Sequence, residues 1–157
     1  MRPARLAIAV LVALIAAEDR AGATSRSERS VESIESRVAG EPIMPIVSLR
    51  TQRITVYDAK GWILRAPVSS GTKGRETPAG IFSVIEKKAE HYSNLYDDAY
   101  MPHMQRITWS GIALHGGVLP GRPASHGCIR LAPGNAARLY SLIRQHGKGG
   151  TRIVITN

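Results

Sequence analysis

Between Pro45 and Asn157 the dominant hydrophobic period is two. PIVSLR (45–50), RITVYD (53–58) and WILRAPV (62–68) alternate or run in β-branched and aromatic residues, as strands with a buried face do. Asp58-Ala59-Lys60-Gly61 joins the second to the third as a hairpin turn, with glycine at the left-handed position. Further strands are predicted in GIFSVIEK (80–87), after the turn Thr77-Pro78-Ala79-Gly80, in RITWSGIALH from Arg106 to His115, and in the terminal TRIVIT. On the Arg106–His115 strand, Ile107 and Trp109 are assigned to the core, because a strand that leads into a site must bury one face. One clear helix breaks the pattern: Asn135 caps it, Ala136, Leu139, Tyr140 and Ile143 share a face, and Gly147 ends it. A long loop, about Lys87 to Gln105, carries Tyr92, Tyr96, Tyr100, Met101, His103 and Met104, which suit a lid. His91 and His146 are read as solvent-exposed and without function. The pattern predicts one mainly β domain over residues 43–157 with a helix near its C-terminus.

The first 42 residues have another texture. Arg2 and Arg5 precede an apolar run from Leu6 to Ala17, and Ala21-Gly22-Ala23 is a small-x-small cleavage pattern, so residues 1–23 read as a secretory signal. The run is too short for the roughly 20 residues of a membrane span. Glu18, Asp19 and Arg20 put charge where small neutral residues are usual, which leaves an uncleaved N-terminal tether as the alternative. Residues 24–42 are rich in Ser, Glu and Arg and are expected to form a disordered spacer. The chain carries 21 Lys and Arg against 12 Asp and Glu, a formal charge of +9. Such a charge favours an anionic partner, which outside the cytoplasm means wall polymer or lipid head groups. Basic residues form no long run and no aromatic interleaving, so nucleic acid is excluded as a partner.

Export changes the meaning of Cys128, the single cysteine. Alone in an oxidising compartment, it is a buried small apolar residue, an intermolecular bridge or a nucleophile. It follows His126-Gly127, where small residues let backbone N–H groups approach a developing oxyanion. A second histidine, His115, ends a predicted strand and precedes Gly116-Gly117. A thiol of ordinary pKa is mostly protonated at neutral pH, and an imidazole can take its proton and return it to a leaving amine. A zinc site from His115, His126 and Cys128, with His103 or His91 recruited, is the rival, but the His-x-Cys spacing is too tight for the usual ligand gap.

HGGVLPGRPASHGCIRL (115–131) resembles the signature of the L,D-transpeptidase catalytic domain, the YkuD-type family: a strand-ending His-Gly, a loop, then Ser/Thr-His-Gly-Cys-hydrophobic-Arg/Asn. VSSGTKGRETPAGIFSV and AYMPHMQRITWSGIALHGG are similar to the family's upstream segments, so the resemblance covers about Pro45 to Asn157. It implies a β-sandwich of mixed sheets with a substrate-capping loop, and no cofactor or metal. Cys128 would be the nucleophile, His115 the base that becomes the acid, and the Gly116 carbonyl the group that orients the imidazole. N–H groups of His126, Gly127 and Cys128 would form the oxyanion hole. Ser125 and His126 would buttress the loop, Ser125 and Arg130 would border the substrate, and Met101, His103 and Met104 would contact it from the lid.

The implied partners are peptidoglycan stem peptides, with wall-attached proteins among the acceptors and carbapenems as covalent inhibitors. The implied place is the periplasm or cell wall. The thiolate would attack the L-centre carbonyl of the third stem residue, release D-alanine, and pass the acyl group to an amine. An L,D-carboxypeptidase or hydrolase on the same fold is the alternative, and a non-catalytic basic wall-binding protein the third reading. Gly117 stands where many members have Ser or Thr, and the loop from His115 to Ser125 is short for the family.

Overall fold

The period-two segments pair into two mixed sheets. The computed structural model describes residues 32–33, 40, 42–145 and 151–157. The strands are β1 (Glu32–Ser33), β2 (Met44–Ser48), β3 (Arg53–Asp58), β4 (Gly61–Pro67), β5 (Gly80–Phe82), β6 (Glu86–Lys88), β7 (Met104–Arg106), β8 (Ala113–Gly116) and β9 (Ile129–Leu131), followed by helix α1 (Pro133–Gln145) and β10 (Ile153–Thr156). Six strands lie in the order β1-β4-β3-β2-β10-β5, and four in the order β6-β7-β8-β9. Each sheet holds one parallel pair, β2 with β10 and β8 with β9. The expected signal over residues 1–23, most of the expected spacer over 24–42, His146 and the helix end at Gly147 lie outside the described residues. Within the spacer, Glu32 and Ser33 pair with Arg65 and Leu64 at the edge of β4.

Alternation sets what each sheet buries. β3 turns Ile54 and Val56 inward and leaves Arg53, Thr55 and Tyr57 half-buried. Asp58 closes that strand, accepting the Lys60 N–H in the hairpin turn and the Gly40 N–H, both at 2.8 Å. In the four-stranded sheet Leu114, Ile129 and Leu131 are fully buried. They share one core cluster with Ala136, Leu139 and Ile143 of α1 and with Val47, Ile54, Val56 and Ile153 of the other sheet. Each Leu, Ile or Val among them contributes about 1.5–3 kcal/mol of transfer free energy. On the opposite face of the four-stranded sheet Met101 packs in one cluster with Met104 of β7, Ala113 and Cys128.

Two predicted strands prove to be two strands each. GIFSVIEK divides into β5 in one sheet and β6 in the other, with Val84 buried at the crossing and Ser83 Oγ accepting from Arg152 Nη1 at 3.1 Å. RITWSGIALH folds back as a hairpin, so that β7 and β8 pair antiparallel, Arg106 opposite Ala113. The turn is held by Thr108, whose carbonyl accepts the Gly111 N–H at 3.2 Å and whose Oγ1 accepts the Ile112 N–H at 2.9 Å. Trp109 sits at its tip and is 88% exposed, which corrects its assignment to the core; Ile107 is buried as expected. The helix also starts earlier than predicted. Ala136 N–H donates to the Ala132 carbonyl at 2.9 Å, so Ala132 is the cap and Asn135 lies inside the first turn. Pro133, with no N–H to satisfy, takes the first helical position.

Candidate active site

Burial of Leu114, Ile129 and Leu131 fixes the register of β8 against β9, and the register fixes the site. His115 pairs with Arg130, and continuing the ladder back by one residue sets Cys128 beside Ala113. Side chains alternate, so Ala113, His115, Cys128 and Arg130 share the face turned away from α1. A slip of one residue would drive thiol and imidazole into the core. Cys128 lines two cavities. One, of about 60 Å³, also holds His115, His126 and Arg130, with Tyr96 and Met101 from the long loop. The other, of about 230 Å³, is lined by Arg106, Gly111, Ala113, Met101 and Met104, again with Tyr96.

The loop that carries the thiol is fixed from both sides. Ser125 Oγ donates to the Cys128 carbonyl and accepts the Gly127 N–H at 3.1 Å, while Ala124 and Ser125 N–H groups both donate to the Ser70 carbonyl. Ser70 in turn is gripped by Gln52, which accepts its N–H at 2.9 Å and donates Nε2 to its Oγ at 2.8 Å. Thr77 Oγ1 accepts the Gly71 N–H and donates to the Gly127 carbonyl at 2.7 Å. Gly71 and Gly127 meet backbone to backbone. A Cβ on Gly71 would lie 1.9 Å from the Arg75 carbonyl oxygen and 2.9 Å from the Gly127 Cα. Gly71→Ala is therefore expected to lower stability by about 2–3 kcal/mol in urea unfolding. An unchanged midpoint would mean that the loops do not meet.

The imidazole has a defined tautomer. His115 Nδ1 lies 2.8 Å from the Gly116 carbonyl oxygen, which can only accept, so Nδ1 carries the proton and Nε2 the free lone pair. Burial pushes the His115 pKa below 6.5, against the Gly116 hydrogen bond, with Arg130 adding to the decrease. Burial pushes the Cys128 thiol above 9.0, opposed by the Ala113 backbone and by Arg130 and Arg106. Both shifts favour the neutral form, thiol at Cys128 and imidazole at His115. The thiol donates a long hydrogen bond, 3.8 Å, to the Gly111 carbonyl.

These shifts bound stability. The unfolded chain protonates His115 near 6.5 while the folded chain does not, so stability falls as pH drops through 6.5. It also ionises Cys128 near 9.0 while the folded chain keeps the proton, so stability falls as pH rises past 9.0. A plateau of melting temperature between about 6.5 and 9 is expected by calorimetry, with a shallower acid edge in His115→Gln. An unaltered acid edge in that variant would remove the assignment.

The expected site residues divide by position. His115, Ser125, His126, Cys128, Arg130 and Met101 line one cavity together, and Met104 lines the other. Gly116 holds the imidazole, and its own N–H donates to the Pro102 carbonyl at 2.8 Å. The Gly127 N–H is taken by Ser125 Oγ, and the His126 ring stacks on Tyr96 with centroids 4.5 Å apart. His103 lines neither cavity and packs edge-on against Tyr140 of α1. His91, read from sequence as exposed and idle, is half-buried and lines the larger cavity. Gln52, Ser70, Thr77 and Arg106 carried no local signal. Among the described residues no group of three His, Cys, Asp or Glu side chains is placed to hold a metal ion.

With this geometry in view, the likeness to known proteins is specific. A family model described as the L,D-transpeptidase catalytic domain matches residues 45–155. L,D-transpeptidase 1 of Mycobacterium tuberculosis is 28% identical over 129 aligned positions, which cover 71% of this chain and 51% of that protein. The chain thus spans about half the length of the curated relatives it matches. Among solved structures, an L,D-transpeptidase from Stackebrandtia nassauensis superposes with a TM-score of 0.66 at 22% identity, over 77% of this chain and 58% of that one. An L,D-transpeptidase in complex with imipenem superposes at 0.62 and 20% identity, over 83% and 84%. At these identities the structural likeness is one of fold.

Proposed function

The chain belongs to the L,D-transpeptidase catalytic domain family, and from that membership we propose that it is a peptidoglycan L,D-transpeptidase acting outside the cytoplasm. The observation that carries the reading is the position of Cys128, on one sheet face with His115 and open to two cavities. Two cavities at one thiol suit a reaction in which an acyl group arrives from one substrate and leaves on another.

The chemistry begins from the neutral pair. As the L-centre carbonyl of the third stem residue approaches, the thiol proton passes to His115 Nε2 and sulfur attacks the carbonyl carbon. The carbonyl oxygen becomes an oxyanion. With the Gly127 N–H held by Ser125, the N–H groups of His126 and Cys128 are the candidate donors to it. Collapse breaks the amide bond to D-alanine, whose nitrogen takes the proton from His115, and leaves a thioester. An acceptor amine then attacks the thioester carbonyl and His115 takes its proton; the C–S bond breaks as the new amide forms, and the leaving sulfur recovers that proton from His115 as the free thiol.

Transfer and hydrolysis share this thioester. They part only in whether an amine or water reaches it, and the Tyr96–His126 stack and the Met101–Met104 cover support exclusion of water. A synthetic stem tetrapeptide is expected to lose its terminal D-alanine, and a second stem or a free D-amino acid to give a linked or exchanged product that rises with acceptor concentration. Tripeptide alone at every acceptor concentration would make the chain an L,D-carboxypeptidase. Loss of no D-alanine at all would remove the reading.

A further inference from the structure

Arg106 stands in one row with the thiol. The pairings place Glu86 opposite Arg106 and Arg106 opposite Ala113, and the β8–β9 register sets Cys128 beside Ala113. The row Glu86, Arg106, Ala113, Cys128 crosses the sheet on the face away from α1. Two strand spacings, together about 10 Å, separate the Arg106 and Cys128 backbones, a gap that an arginine side chain largely closes.

The guanidinium is held from behind. Its Nε lies 3.0 Å from Glu86 Oε2, while Lys88 Nζ lies 3.0 Å from the other oxygen, so the three side chains together keep one positive charge. No other protein partner of the Arg106 guanidinium occurs among the described residues. The side chain is 28% exposed and lines the 230 Å³ cavity that ends at Cys128. Neither Asp nor Glu lines that cavity; His91, Ser93, Asn94 and Ser110 give it neutral polar groups. A positioned cation in a recess without acidic lining is suited to an anion, and the planar guanidinium fork matches a carboxylate.

The geometry points to Arg106 as a carboxylate-binding subsite for the acyl donor, acting within about one residue of the carbonyl that Cys128 attacks. This rests on the reading of the chain as an enzyme of stem peptides. Two donor carboxylates fall near that distance: the terminal one on the departing residue and, in a stem whose third residue is meso-diaminopimelate, the side-chain one on that residue. An amide at the recognised position would leave the guanidinium with a poorer partner, so the subsite would discriminate carboxylate from amide.

Equilibrium binding tests this without turnover. In the Cys128→Ala protein, the dissociation constant of a synthetic stem tetrapeptide is measured by calorimetry with both carboxylates free, and with each amidated in turn. Arg106→Gln in that background is expected to weaken binding about tenfold or more, and Arg106→Lys, which keeps the charge but loses the fork, by less. One of the two amides is expected to bind correspondingly worse when Arg106 is present and to show no further loss in Arg106→Gln, which identifies the carboxylate. Binding that is unchanged in Arg106→Gln, or amide penalties equal with Arg and Gln, would overturn the subsite while leaving the enzyme reading intact. Failure of every donor to bind the Cys128→Ala protein would sink the stem-peptide reading and the subsite with it.

Discussion

Incubated with imipenem, the wild-type protein should gain one drug mass, located by peptide mapping on Cys128, and Cys128→Ala should gain none. In the same variant, release of D-alanine from a stem tetrapeptide should fall by about 10⁴-fold or more, because loss of the nucleophile removes the covalent route altogether. The chain holds no second cysteine to substitute for it. A β-lactam carbonyl is, like the stem amide, an acyl donor to a thiolate, so both assays report on one sulfur, and a related fold has been solved in complex with imipenem. Cys128 packs beside Met101, Met104 and Ala113, and removing one sulfur there should cost only about 1 kcal/mol, so that lost labelling is not lost folding. An unmodified wild-type mass would remove Cys128 as nucleophile.

Cys128 stands out as a candidate in sequence because the features that mark it are local. His-Gly-Cys and the upstream His-Gly-Gly set a candidate nucleophile, a candidate base and small-residue backbone within the 14 residues 115–128, without reference to what packs around them. The groups that hold them are not local. Thr77 reaches Gly127 across 50 residues and Gln52 reaches Ser70 across 18, and neither type is marked by its neighbours as a buttress. No neighbour in sequence marks Arg106 either. Its place in the site comes from a cross-strand row that exists only once β6, β7 and β8 are paired.

The fold shows the same division. Hydrophobic alternation marked β2, β3 and β10 well, since each buries one face against the same core, and the apolar run of β4 buries Ile63 and Leu64 in succession where its pairing with β3 shifts register. It could not say where a strand changes sheet, so GIFSVIEK read as one element although Val84 is buried at the crossing. Nor could it see the β7–β8 hairpin. Ile107 and Trp109 keep the alternating rhythm, but Thr108 captures the Ile112 N–H and turns the chain, leaving the indole at the tip in solvent.

His115→Gln should slow acylation of Cys128 by about 10²–10⁴-fold at pH 7, the range for loss of a positioned general base. Burial lowers the His115 pKa below 6.5 and its Nδ1–H is committed to Gly116, so with His115 as the proposed base acylation of the wild-type protein should be flat with pH from about 6.5 to neutrality. The variant has no such acceptor for the thiol proton. Its rate should instead rise about tenfold per pH unit up to the raised thiol pKa, above 9.0, since only the spontaneously ionised fraction reacts. The slope separates a base from a residue that merely packs, because a packing defect lowers the rate equally at every pH. His126→Ala is the internal control. It should lose the stack on Tyr96 and slow acylation by about two- to tenfold, the worth of one aromatic pair, with the wild-type pH profile retained. If His126→Ala proved the more damaging change at equal stability, and acquired the rising profile while His115→Gln stayed flat, the base would be His126 and the roles of the two histidines would be exchanged.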